Sequence, residues 1–177
     1  MKPIVYAAAL DPRRSGTKFG PASTVPDLRR EFATPQGPWK PQNDDGEYHP
    51  QVTLVKALAK SLNVATANLV EAIEPRVVAR YAEYFGLHGM KPLPSIGLGT
   101  SEVSLVALTD AYTTFPNRGM RGEASPLVAV LGVNGKPYYH VASERIEVVP
   151  PETAALMTGL KGAGLWDEVK EIGRAHV

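Results

Sequence analysis

Cysteine is absent from the 177-residue sequence, which excludes a disulfide framework, a thiolate zinc site and a cysteine nucleophile. An excess of either charge is absent too: 19 Lys+Arg stand against 18 Asp+Glu, for a formal net charge of +1. Nucleic-acid binding needs a clustered basic face, and pairs such as Arg13-Arg14 and Arg29-Arg30 stand isolated, so no nucleic-acid partner is expected. No apolar run reaches the ~18 residues of a membrane span. His49, His88, His140 and His176 lie far apart without ligand spacing, so no histidine-based metal site is expected. Sixteen glycines and sixteen prolines make about 18% of the chain, below the roughly 25–30% that marks low complexity. What is present, 44% hydrophobic and 21% charged residues, suits one globular domain or a piece of one.

Several segments have a clear period. Lys2 to Leu10 reads as a buried helix, and the Asp11-Pro12-Arg13-Arg14 that follows it does not fit a signal-cleavage site. Residues 11 to 51 are rich in turn formers and are expected to be a long, mostly irregular excursion, with a turn at Asn43-Asp44-Asp45-Gly46. That turn lacks the spacing of a calcium loop. Helices are expected from a Thr53 cap to about Ser61, from Val64 to Ile73, and from Pro75 to a Gly86 cap. A fourth should run from Glu102 to Phe115, capped by Thr100 or Ser101, and a fifth from Pro150 to Leu160. Leu127 to Tyr139 reads as a β-hairpin around Asn134-Gly135. Helices with a late hairpin define an α+β fold.

Two short motifs carry possible chemistry. Gly97-Leu98-Gly99-Thr100-Ser101 lacks the third glycine of a dinucleotide fingerprint and the Gly-Lys-Ser/Thr of a P-loop, and so reads as a tight turn with a helix cap. Ser61-Leu62-Asn63 on its own is a helix end, where Ser and Asn satisfy loose backbone groups.

Taken together and in order, five segments resemble the transpeptidase domain of class A penicillin-binding proteins, the bifunctional cell-wall synthases of bacteria. They are Lys2 to Leu10, Pro41 to Asn63, Gly97 to Val103, Ala111-Tyr112 with Asn117-Arg118-Gly119, and Pro151 to Ala154. The family assembles its site from Ser-x-x-Lys, Ser-x-Asn and Lys-Thr-Gly. Lys2 matches the lysine of the first element, and Ser61 and Asn63 match the second in full. By this resemblance the nucleophilic serine falls two residues before Met1, and no Lys-Thr-Gly occurs in the chain.

The resemblance implies a fragment of the penicillin-recognising serine transpeptidase and β-lactamase-like fold, comprising mostly its helical part plus a β-hairpin. It makes Lys2 the base, Ser61 the proton relay and Asn63 a substrate-binding residue, with no metal or cofactor. It also implies peptidoglycan stem peptides as substrate and β-lactam antibiotics as ligands of the intact domain. The parent would be a D,D-transpeptidase anchored at the outer face of the bacterial cytoplasmic membrane, and this chain alone would be inactive and marginally stable. Residues 1–170 are assigned to a partial transpeptidase domain. Glu171 to Val177 continue no earlier pattern and resemble a translated sequencing adapter, so 171–177 are expected to be a read-through tail. The alternatives are a serine β-lactamase or D,D-carboxypeptidase, which shares the three elements, and a non-enzymatic helical module that binds a peptide in an apolar groove.

Overall fold

The computed structural model describes residues 1–140 and 145–160. Helix α1 (Lys2–Leu10) is the centre of the core, with every residue from Pro3 to Leu10 buried. A helix made of Ile, Val, Tyr, Ala and Leu has no polar face, so it is stable only when enclosed by other elements. Its neighbours do this: α3 (Leu54–Ala59), α4 (Asn63–Ile73), α5 (Pro75–Tyr84) and a 3₁₀ helix (Pro94–Leu98) all pack on it. The Tyr6 hydroxyl shares a hydrogen bond with Thr66 Oγ1 on α4 at 3.3 Å, which sets the register of the two helices.

The excursion after α1 is more ordered than its composition suggests. It holds a one-turn helix, α2 (Pro12–Ser15), and the strands β1 (Thr24–Asp27), β2 (Phe32–Thr34), β3 (Gly37–Trp39) and β4 (His49–Thr53). β1 pairs antiparallel with β4, with Val25 opposite Val52, and β2 with β3, with Phe32 opposite Trp39. Strands of three to five residues are too short to show a period of two, so residues 11–51 looked irregular from sequence. Most of residues 11–51 still lie outside any helix or strand, as expected, with these short elements set among them.

Thr53 caps α3 as expected, accepting from Lys56 N–H at 3.3 Å. Helix α6 (Leu105–Thr113) begins later than expected, because the cap is Ser104, whose hydroxyl accepts from Ala107 N–H at 3.1 Å. Neither Thr100 nor Ser101 serves: the Thr100 hydroxyl turns back to Ser95. The hairpin lies where expected, as β6 (Ala129–Leu131) and β7 (Pro137–His140), with Gly135 in the left-handed region at φ +73°. β5 (Met120–Gly122) pairs with β8 (Arg145–Glu147), and residues 151–160 form a final helix, α7, burying Ala154 and Met157. The fold is a mixed α+β arrangement of helices with small two-stranded sheets. Leu105 and Val106 on α6 and most of the hairpin's apolar side chains are exposed. The tail at 171–177 lies outside the described residues.

Candidate active site

Three residues that resemblance grouped, and that sequence separates by about sixty positions, meet in space. Lys2 opens α1, and Ser61 and Asn63 flank the junction between α3 and α4. Lys2 Nζ donates to Ser61 Oγ at 2.8 Å, to Asn63 Oδ1 at 2.6 Å and to the Ser61 carbonyl at 2.5 Å. An ammonium has three N–H donors, and all three find an acceptor here. They line an open cleft of about 330 Å³ together with Met1, Leu98 and Tyr112.

Local backbone chemistry explains the placement of Ser61. Helix α3 ends in a Schellman motif, in which Ser61 N–H bonds the Leu58 carbonyl at 3.0 Å and Leu62 N–H bonds that of Ala57 at 2.9 Å. The motif requires a left-handed residue between those two bonds, a place glycine normally fills. Ser61 takes it at φ +54°. The strain of a serine there is of order 1 kcal/mol, and it turns both the hydroxyl and the carbonyl toward Lys2.

The floor of the cleft depends on a glycine. A Cβ on Gly97 would lie 2.8 Å from Val70 Cγ2 and 3.0 Å from Thr66 Cγ2. Only a bare backbone lets the 3₁₀ helix sit this close to α4, so the Gly97 motif serves close packing, and Gly99 follows in the left-handed region at φ +81°.

Asn63 is held from its other side as well. Its Nδ2 donates to the Gln42 carbonyl at 2.9 Å and to Asp44 Oδ1 at 3.1 Å. Gln42 and Asp44, at the turn that opens the Pro41 to Asn63 segment, therefore stand beside the site. The two opposing influences on the Lys2 amine are now visible. Partial burial is the larger and lowers its pKa, while the nearby Asp44 carboxylate raises it, and the net displacement is downward. A lysine so displaced is nearer to serving as a base at neutral pH. Burial also raises the pKa of Tyr112 at the cleft edge. Among the described residues no cluster of His, Cys, Asp or Glu could hold a metal ion.

The fold is that of penicillin-binding transpeptidase domains. Over 93% of this chain and 29% of the other, it superposes on the crystal structure of penicillin-binding protein 1A from Haemophilus influenzae with a TM-score of 0.80 at 19% identity. It also superposes on penicillin-binding protein A from M. tuberculosis, solved as its penicillin G acyl-enzyme complex. That match has a TM-score of 0.77 at 20% identity and covers 92% of this chain and 42% of the other.

Sequence carries the assignment further. The chain is 33% identical over 156 residues to penicillin-binding protein 1A of Aquifex aeolicus, covering 86% of this chain and 21% of the relative. It is 31% identical over 161 residues to penicillin-binding protein 1B of Escherichia coli, covering 88% of this chain and 19% of the relative. No family model matches. The chain belongs to the class A penicillin-binding proteins, and it spans about a fifth of the length of these curated relatives.

Proposed function

We propose that this chain supplies the base and proton-relay half of a serine acyl-transfer site in a peptidoglycan synthase. The observation that carries the reading is the convergence of Lys2, Ser61 and Asn63 within hydrogen-bond reach across some sixty residues. The nucleophile in this reading is a serine three positions before Lys2, one helical turn earlier on the same face.

Neutral Lys2 takes the proton of that serine hydroxyl, and the serine oxygen attacks the carbonyl carbon of the penultimate D-alanine of a stem peptide. As the peptide C–N bond breaks, Ser61 passes a proton from Lys2 to the departing amine, and D-alanine leaves. An amine of a second stem attacks the resulting ester and gives up a proton, and the serine oxygen leaves with one. Asn63 holds the donor stem's amide by exchanging its Asp44 contact for the substrate. A β-lactam presents the same carbonyl within a ring, which keeps its leaving nitrogen tethered.

On this reading the parent is a D,D-transpeptidase anchored at the outer face of the bacterial cytoplasmic membrane. Residues 1–170 belong to its transpeptidase domain, and 171–177 do not. None of the helices among the described residues is long and apolar enough to cross a membrane. The test is to express the gene product extended in frame at both ends and incubate it with a fluorescent penicillin. Covalent labelling that Lys2→Ala abolishes is expected; an extended product that takes no label would overturn the reading.

A further inference from the structure

Helix α4 has a leucine at its N-cap, and no side-chain cap bond from that position. A helix whose first N–H groups are buried needs other acceptors. Two side chains from the excursion provide them. Asn43 Oδ1 accepts from Val64 N–H at 3.0 Å, and Asp27 Oδ1 accepts from Ala65 N–H at 3.1 Å. They also hold each other: Asn43 Nδ2 donates to both Asp27 oxygens at 2.9 and 3.0 Å, and to the Glu47 carbonyl at 2.8 Å.

Asp27 is fully buried and Asn43 is 5% exposed. The Asp27 carboxylate faces the positive end of α4, and His49 Nδ1 lies 3.1 Å from its Oδ2. A buried carboxylate is costly unless each lone pair is used. Here the donors come from the loop at Asn43, from β4 at His49 and from the first turn of α4, so the carboxylate ties three segments together.

The tie lies directly behind the candidate site. Gln42 and Asp44, the neighbours of Asn43 in sequence, hold the Asn63 amide, and Asn63 precedes the two capped residues, Val64 and Ala65. We infer that Asp27 and Asn43 are positioning residues. They clamp residues 41–46 onto the first turn of α4, which fixes Asn63 Oδ1 against Lys2 and sets the site's acid–base poise. The inference rests on Lys2, Ser61 and Asn63 being the site.

The test is the titration of the Lys2 side chain, followed by NMR on the 177-residue chain as wild type, Asp27→Asn, Asn43→Ala and Tyr81→Phe. The aspartate variant replaces an acceptor with an NH₂ group that opposes Asn43 Nδ2. The tyrosine variant removes a distant buried hydrogen bond to Asp11 and serves as a control for general loosening. Should Asp27→Asn fail to fold, Asn43→Ser takes its place, since serine keeps an acceptor for Val64 N–H.

Releasing the loop withdraws the Asp44 carboxylate, the influence that holds the Lys2 pKa up. The expected result is a further downward move of the Lys2 midpoint in the clamp variants and none in Tyr81→Phe. A lowered wild-type midpoint that stays put in folded clamp variants overturns the clamp alone. A wild-type midpoint at the ordinary lysine value overturns the site reading beneath it.

Discussion

Ser61 and Gly86 occupy the same place in two copies of one helix-ending motif. At the end of α5, Gly86 N–H bonds the Glu83 carbonyl at 2.9 Å and Leu87 N–H bonds that of Ala82 at 3.1 Å, with Gly86 at φ +78°. Ser61 does the same at the end of α3 with a side chain attached. Glycine ends α5 at no steric cost, whereas Ser61 ends α3 with its hydroxyl against Lys2 Nζ. Ser61→Gly should therefore be more stable than Ser61→Ala by about 1 kcal/mol, because alanine keeps the strain and loses the hydroxyl. Urea unfolding of the two variants checks this, and equal midpoints would contradict it.

Gly97→Ala should destabilise by about 1–3 kcal/mol, since the new methyl meets branched carbons of Val70 and Thr66 that are locked in the core. Because Leu98 lines the cleft, the substitution should also weaken β-lactam labelling of the extended gene product. Thermal unfolding and labelling rate report the two effects separately.

Tyr81→Phe should cost about 1.5–3 kcal/mol, the value of a hydrogen bond to a charged group. The Tyr81 hydroxyl donates to Asp11 Oδ2 at 3.1 Å, and Asp11 is fully buried at the turn from α1 into α2. Chemical denaturation measures the loss, which should exceed that of Tyr84→Phe on the exposed side of the same helix.

Alkaline pH should destabilise the protein through its buried phenols. Burial raises the pKa of both Tyr6 and Tyr81. A folded-state pKa above the unfolded one means that the unfolded chain releases protons first. The stability these groups contribute is complete below about pH 10 and is lost as pH rises beyond it. Lys2 acts in the opposite sense, because its folded pKa is lowered: its penalty is present at neutral pH and fades as pH approaches the ordinary lysine value. Two fully buried tyrosines outweigh one half-buried lysine, so the unfolding midpoint in urea should fall between pH 9 and pH 11, and fall less steeply in Tyr81→Phe.

Much of the helical half was legible from sequence. Thr53 at a cap, Pro75 inside a first turn, Gly86 past a last one and Asn134-Gly135 in a hairpin each act locally, through backbone preferences that a short window reveals. The start of α6 was misread because Thr100, Ser101 and Ser104 are all competent caps, and tertiary packing of the preceding 3₁₀ helix decides among them. Asp27 and Asn43 were illegible as a clamp for a different reason: their partners in α4 lie 38 and 21 residues away, and no local pattern encodes such a contact. Lys2 and Ser61 on their own read as a terminal lysine and a helix end. Ordered resemblance to a family brought them forward, and the fold then set them 2.8 Å apart.

Partial burial beside Ser61 and Asn63 lowers the pKa of Lys2, as its proposed role as base requires. The most direct measurement is the pH titration of the Lys2 side chain by NMR, using selective ¹³C methylation of amines and Lys2→Arg to assign the signal. The expected midpoint lies below the ordinary lysine value. A Lys2 that titrates at or above the ordinary lysine value would contradict the assignment of Lys2 as the base.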